Sequence, residues 1–140
     1  MNLYFDASPP LRAIPRDGPL LTEWGHWDVA VTSAMFGVEA RRTLDRLRLT
    51  QVYNDVELAD AMTELLAIER SLSVLAVTNA VLERASRPMP TTVRTLDAIH
   101  LASAAVIRDE MLPDLVFATH DRQQAIAARV LGFEVIGVDL

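Results

Sequence analysis

Residues 115–132 of the chain read LVFATHDRQQAIAARVLG and carry the clearest local signals of the fold class. Its first four residues form a continuous apolar run, which is typical of a strand buried on both faces of a parallel sheet. Residues 119–131 favour a helix, and Gly132 is a suitable residue to end it. A buried strand followed at once by a helix predicts an α/β protein.

The rest of the sequence repeats this alternation. Further strands are predicted at residues 2–5, 28–32, 72–77 and 134–138, and helices at residues 33–49, 55–68 (capped by Asp55), 78–87 and 95–110. A short helix is also expected within residues 19–27, whereas the proline-rich residues 7–18 are expected to be mostly loop. We therefore expect a three-layer α/β/α sandwich with a parallel sheet of about five strands.

Composition limits the classes of function. The 140 residues are enough for one core, so we expect a single domain over residues 1–140. The chain has no cysteine, which excludes a disulfide scaffold and a thiol nucleophile. All 13 basic residues are arginine, which excludes chemistry that needs a lysine, such as a Schiff base or a P-loop. With 19 acidic residues the net charge is −6, so the chain has no general attraction for nucleic acid.

The sequence gives no sign of membrane association or export. No apolar run approaches the roughly 20 residues that a bilayer-spanning helix needs. The N-terminus, MNLYFDASPP, lacks the basic region and apolar stretch of a signal peptide. We expect a cytoplasmic protein with no membrane partner.

Four acidic residues are the candidate site. Asp6 directly follows the first predicted strand, and Asp121 follows the fourth strand at the start of a helix. Glu39 lies near the start of the helix after the second strand. These three map to the edge of the sheet where ligands bind in open α/β folds. Asp97 opens the helix before the fourth strand and joins them only if that helix starts at the same edge.

Each acid also has a purely structural interpretation. Asp97 and Asp121 stand where N-caps and first-turn acids belong. Glu39 has the spacing to pair with Arg42 or Arg46 on one helix face. Asp6 could cap the turn that follows it.

Taken together, the four carboxylates predict a site for Mg²⁺ or Mn²⁺, which prefer oxygen ligands. The matching chemistry is hydrolysis of a phosphodiester by a metal-activated water. A bound cation would also convert an acidic pocket into a receptor for phosphate.

Several other side chains are candidates for supporting roles. Ser8 and Thr119 lie two residues from Asp6 and Asp121, where their hydroxyls could orient a carboxylate or only complete a local turn. Arg41, Arg42 and Arg122 could contact RNA phosphates, although a solvated face pairing with acids is the alternative. We expect His100 to serve packing and His120 to lie exposed in a loop.

Four segments resemble PIN-domain nucleases, specifically the VapC-type toxins of bacterial toxin–antitoxin modules. They are YFDAS at residues 4–8, VEAR at residues 38–41, LDAIHLA at residues 96–102 and ATHDR at residues 118–122. Their order and spacing match over essentially the whole chain. One departure is the pair Pro9-Pro10, where the family has residues that lead into a helix.

The resemblance implies a fold, an activity and partners. It implies a five-stranded parallel sheet between helices and Mg²⁺- or Mn²⁺-dependent endoribonuclease activity. It also implies a homodimer and inhibition by a VapB-type antitoxin. Carried over by position, Asp6, Glu39, Asp97 and Asp121 become the catalytic, metal-binding acids.

Two alternatives belong to other classes of function. A catalytically inactive PIN-like binding or regulatory module would keep the fold without the metal, and the presence of all four acids argues against it. A receiver-like phosphorylation domain would need adjacent acids after the first strand and a lysine near the fifth, and the sequence has a single acid there, Asp6, and no lysine. An aspartate-nucleophile phosphatase would need a second acid two residues after the first, where this chain has Ser8.

Overall fold

The structure is a computed structural model that describes residues 1–14 and 19–140. Its elements follow in the order β1 (Asn2–Phe5), α1 (Ser8–Ala13), β2 (Val29–Ser33), α2 (Met35–Leu49), α3 (Asp55–Ser71), β3 (Ser73–Leu75), α4 (Asn79–Ala85), α5 (Thr95–Glu110), β4 (Val116–Ala118), α6 (Arg122–Val130) and β5 (Glu134–Ile136). Pro15 and the Asp17-Gly18 pair of the predicted loop lie outside the described residues.

The five strands form one sheet in the order β3-β2-β1-β4-β5, and every neighbouring pair is parallel. β1 lies at the centre, with Phe5 opposite Thr32 of β2 on one side and opposite Ala118 of β4 on the other. The chain winds outward from β1 to β3 and then returns to place β4 beside β1. The α/β prediction, with a parallel sheet of five strands, is confirmed.

Helices cover both faces of this sheet. Leu3 and Phe5 of β1 belong to one hydrophobic core, which includes Leu44 of α2 and Leu65 of α3. Tyr4, between them in sequence, belongs to the opposite core with residues of α5 and α6. Alternate residues of a strand point to opposite faces, so one apolar strand supplies both cores. Burial of each large apolar side chain stabilises the fold by about 1.5–3 kcal/mol.

Helix α5 is the most deeply buried helix. Its residues from Ala98 to Ala105 are all buried, because one face packs on the sheet and another on α4. The contact with α4 joins Val81 to Ile99 and Ala102. This packing on two sides fixes the position of the first turn of α5, which carries Asp97.

The prediction that residues 7–18 are mostly loop was wrong, because Ser8–Ala13 forms helix α1. Pro9 and Pro10 stand in its first turn. The first four N–H groups of a helix have no partner within the helix, so prolines there remove no hydrogen bond. The proline pair therefore begins the helix rather than preventing it.

Two further predictions of local structure were wrong. Residues 19–27 form a turn at 22–25 instead of a helix, and Gly25 has a φ of +81°, which no right-handed helix accommodates. Helix α3 is capped by Asn54 rather than Asp55. The Asn54 side chain accepts from the N–H of Glu57, whose own side chain accepts from the N–H of Asn54.

Among the described residues, no helix combines the length and the apolar character needed to cross a membrane.

Candidate active site

The candidate site lies where the strand order reverses, between β1 and β4. Asp6 follows β1 and Thr119 follows β4, and the Asp6 N–H donates to the Ala118 carbonyl at 3.3 Å. In open α/β sheets the strands diverge on opposite sides of such a point and leave a crevice at their carboxyl ends. The topology therefore brings together two residues that are more than a hundred positions apart in sequence.

Asp6 is buried, with only 3% of its surface exposed, and its carboxylate is held by two hydroxyls. Oδ1 accepts from the Ser8 hydroxyl at 2.6 Å and from the Ser8 N–H at 3.0 Å, and Oδ2 accepts from the Thr119 hydroxyl at 2.5 Å. Burial raises the pKa of Asp6, although the His100 ring and the hydroxyls of Ser8 and Thr119 oppose the shift. Ser8 thus contacts the acid nearest to it in sequence, whereas the Thr119 hydroxyl donates to Asp6 and not to the carboxylate of its sequence neighbour Asp121.

The same two hydroxyls connect Asp6 to the start of α6. The Thr119 oxygen accepts from the Asp121 N–H at 3.0 Å, and the Ser8 oxygen accepts from the His120 N–H at 2.8 Å. The Asp121 carboxylate in turn accepts from the Gln124 N–H at 2.9 Å and caps α6. The capping interpretation of Asp121 is therefore correct, and this bond engages only one of its two oxygens.

Asp97 is half-buried in the first turn of α5. Its Oδ2 accepts from the backbone N–H of Arg94 at 3.3 Å. Burial raises the pKa of Asp97, and the negative charges of Asp121 and Glu39 add to the rise. Helix α5 thus starts at the sheet edge that carries the other acids, which the sequence could not establish.

Glu39 points toward α5 and contacts a buried histidine. Its Oε1 lies 2.6 Å from Nε2 of His100, and Nδ1 of that ring lies 2.8 Å from the Tyr4 hydroxyl. Because a carboxylate can only accept, Nε2–H of His100 donates to Glu39, and the Tyr4 hydroxyl contacts the other ring nitrogen. Burial raises the pKa of Tyr4, which keeps the phenol a donor. The predicted pairing of Glu39 with Arg42 or Arg46 does not occur.

Three of the four acids line one cleft of about 720 Å³. Glu39, Asp97 and Asp121 share it with Arg94 and with polar residues of the preceding loop. Asp6 is not among the lining residues and is linked to them through Thr119. Among the described residues, no three acidic or histidine side chains stand close enough together, as placed, to hold a metal ion between them. The cleft is therefore an open cluster of oxygen donors.

The arginines predicted to contact RNA have partners within the protein. Arg41 forms an ion pair with Glu69 at 2.6 Å, and Arg42 pairs with Asp45 at 3.3 Å. Arg122 donates to the Asp139 carbonyl at 3.0 Å. None of the three is among the described residues that line the cleft.

A family model for the PIN domain matches residues 4–130, which include all four acids. The chain is a PIN-domain protein. Ribonuclease VapC47 of Mycobacterium tuberculosis (strain CDC 1551 / Oshkosh) is 30% identical over 131 residues, covering 94% of this chain and 93% of that protein. The crystal structure of PAE2754 from Pyrobaculum aerophilum matches with a TM-score of 0.59 at 20% identity, covering 96% of this chain and 83% of that one. This second likeness concerns the fold alone.

The sequence did not identify two residues of this PIN domain as parts of the site. His100 was assigned to packing, yet it is 1% exposed and carries both Glu39 and Tyr4 as partners. Arg94 was not considered, although it lines the cleft. A histidine on an otherwise apolar helix face needs buried partners, and this was the available signal. His120, expected to be exposed, is half-buried and donates from Nδ1 to the Gly137 carbonyl at 2.6 Å.

The stability of the PIN domain should depend on pH through Asp6. Its raised pKa means that the folded chain holds this proton more tightly than the unfolded chain does. The free energy of unfolding therefore falls as pH rises from the ordinary pKa, near 3.8, through the folded pKa. Without divalent cations, Asp6→Asn is therefore expected to lose less stability than the wild type as the pH rises from 3.8.

Urea unfolding at several pH values, in buffer with chelator, measures this difference. Asp60→Asn is the control, since Asp60 is exposed on α3. Equal pH dependence in wild type and Asp6→Asn would show that the Asp6 carboxyl carries no such cost.

Proposed function

We propose that this PIN-domain protein is a Mg²⁺-dependent endoribonuclease, the toxin of a type II toxin–antitoxin system. The observation that carries the proposal is the cleft in which Glu39, Asp97 and Asp121 converge beside the buried Asp6. Membership of the PIN family and the 30% identity to a protein named as a ribonuclease support it. The reaction would be hydrolysis of an RNA phosphodiester bond.

The donor set fits Mg²⁺ or Mn²⁺. Mg²⁺ keeps several waters and is usually bound through one or two carboxylates together with substrate phosphates, so an open cluster is the expected form of its site. Asp97 and Asp121 are the best placed to hold it, because each lines the cleft and each keeps carboxylate capacity beyond its cap hydrogen bond. Burial and, after it, repulsion from Asp121 raise the pKa of Asp97, and a cation would relieve that repulsion.

When bound, the cation would supply positive charge that draws a phosphate into the cleft, and it would lower the pKa of a water so that this water can lose a proton to solvent and attack the phosphate. The chain's own residues fix the oxygen donors in position. His100 contacts Oε1 of Glu39, so the other carboxylate oxygen stays available as a ligand. Ser8 and Thr119 hold Asp6 and the start of α6 as one unit. Such outer partners orient ligands and prevent them from turning away.

The partners in this proposal are an RNA substrate, a VapB-type antitoxin and a second copy of the chain in a homodimer. The name of the relative in Mycobacterium tuberculosis supports the first two. Large apolar side chains that remain exposed, among them Val38, Val56 and Met111, are the kind of surface that a dimer or an antitoxin would cover.

The test is an RNA cleavage assay with purified protein and a panel of tRNA, rRNA and mRNA. We expect cleavage in Mg²⁺ or Mn²⁺, none in chelator, and recovery when the cation is restored in excess. Cleavage that persists in chelator would overturn the metal-dependent mechanism. Binding of Mg²⁺ without cleavage of any RNA in the panel would favour the inactive PIN-like module instead.

A further inference from the structure

Arg94 stands at the junction of two depressions in the surface. It lines the acidic cleft, and it also lines a groove of about 460 Å³ that runs between the end of α4 and the start of α5. Residues 86–93 form one wall of this groove. Thr92 and Thr95 line both depressions as well. The cleft and the groove therefore adjoin at these three residues.

The side chain of Arg94 is exposed to solvent. It forms no hydrogen bond or ion pair with any residue of 1–14 or 19–140. The Thr92 and Thr95 hydroxyls likewise have no hydrogen-bond partner in the described ranges. Of the described residues that line the acidic cleft, Arg94 alone carries a positive charge.

The backbone of Arg94 is held in place, which fixes the point from which its side chain extends. Its N–H donates to Asp97 at 3.3 Å, so the residue is tied to the first turn of α5. Its side chain therefore starts beside the carboxylates that the proposed function assigns to the metal. By contrast, Arg41 and Arg42 form ion pairs with Glu69 and Asp45, and Arg122 donates to a backbone carbonyl.

We infer that Arg94 binds a backbone phosphate of single-stranded RNA next to the scissile phosphate, and that the strand continues into the groove beyond it. This inference rests on the proposed function. An RNA strand carries a phosphate at every nucleotide, so a strand whose scissile phosphate lies at the acids must place a neighbouring phosphate at the rim of the cleft. Arginine binds phosphate with two parallel N–H donors, and the Thr92 and Thr95 hydroxyls add donors beside it.

The groove suits nucleotides because its lining offers both apolar and polar contacts. Its lining combines apolar surface, from Leu82, Met89 and Val93, with hydroxyl groups. A base can lie on the apolar part while the ribose and phosphate contact the polar part. Because the chain has a net charge of −6, a single free arginine in the right place matters more here than in a basic protein.

The test compares Arg94→Gln with Arg129→Gln on a short single-stranded RNA that the wild type cleaves. Arg129 is exposed near the end of α6 and lies outside the lining of the cleft and the groove, so the control removes the same charge elsewhere. We expect Arg94→Gln to raise KM about tenfold and to change kcat less than about threefold, as for loss of one phosphate contact. The dependence of log KM on log salt should also flatten by about 0.7, the value for one phosphate of a single strand.

Arg94→Lys should recover part of the affinity, because lysine restores the charge without the two-pronged geometry. Circular dichroism and the melting temperature check that the variants fold. Equal effects of Arg94→Gln and Arg129→Gln, or a loss confined to kcat with an unchanged salt slope, would overturn the inference. A wild type that cleaves no RNA would refute the proposed function instead, so the two failures are distinguishable.

Discussion

Asp97→Asn is expected to lower kcat/KM for RNA cleavage by at least about 10²-fold and to leave the fold intact. Asp97 lines the cleft with Glu39 and Asp121, and its charge would help to hold the cation. A metal centre contributes several kcal/mol to transition-state stabilisation, and each 1.36 kcal/mol corresponds to tenfold in rate. Losing one of its carboxylates should therefore cost at least about two orders of magnitude.

Asp97→Asn removes the negative charge of the side chain while keeping its shape. Asparagine keeps the size of the side chain and an oxygen that can accept from the Arg94 N–H. Because burial raises the pKa of Asp97, ionisation of this carboxyl opposes folding, and the variant should melt no lower than the wild type in chelator. Mg²⁺ should raise the melting temperature of the wild type more than that of Asp97→Asn, since a ligand of the native state stabilises it.

The measurements are initial cleavage rates and thermal melts, each with and without Mg²⁺. Asp60→Asn, on the exposed surface of α3, removes the same charge away from the cleft and should behave as the wild type. If Asp97→Asn cleaved RNA at the wild-type rate, the acids of the cleft would not be the catalytic centre.

The sheet could be predicted from sequence because its signals are local. The apolar run at residues 115–118 and the alternating runs elsewhere each identify a strand by composition alone. The edge position of Asp6 and Asp121 follows from the parallel topology, which places the carboxyl ends of strands together. Asp97 lies on a helix instead, and its approach to Asp121 depends on how α5 packs against α4 and the sheet.

The partners of the charged side chains could not be predicted, because they are set by tertiary packing. Glu39 has arginines at helical spacing, yet it contacts His100, which is 61 positions away. Arg41 looked available for RNA and is paired with Glu69 on α3. Arg94 became a candidate only when the structure showed that no acid of the described chain neutralises it. Sequence spacing indicates which side chains can pair within one helix, but it does not show which side chains of other helices or strands face them.

Gly137→Ala is the second substitution with a large expected effect. Gly137 follows β5 with a φ of +101°, a conformation that L-residues rarely adopt. A Cβ there would lie 2.3 Å from the Thr119 carbonyl oxygen and 2.9 Å from a methyl of Leu21. Positive φ costs an L-residue roughly 1–2 kcal/mol, and overpacking of a rigid site adds about 1–3 kcal/mol. We expect the free energy of unfolding to fall by about 2–5 kcal/mol.

Gly25→Ala is the matched control. Gly25 also has a positive φ, +81°, but a Cβ there meets nothing within 4 Å. It should lose only the conformational part, about 1–2 kcal/mol. Urea unfolding of both variants separates the two contributions, since the difference between them measures the clash with Thr119. Equal losses would mean that the segment after β5 moves away from Thr119 without cost.

The clash should also reach the site, because the atom in the way belongs to Thr119. The hydroxyl of this residue holds Asp6 and the N–H of Asp121, so a displaced Thr119 backbone would shift both acids. At temperatures where Gly137→Ala is still folded, cleavage should therefore fall, whereas Gly25→Ala should keep wild-type activity. Strand β5 lies beside β4, so Gly137 is in close contact with Thr119. The segment after β5 therefore supports the positions of Asp6 and Asp121, although both acids come much earlier in the sequence.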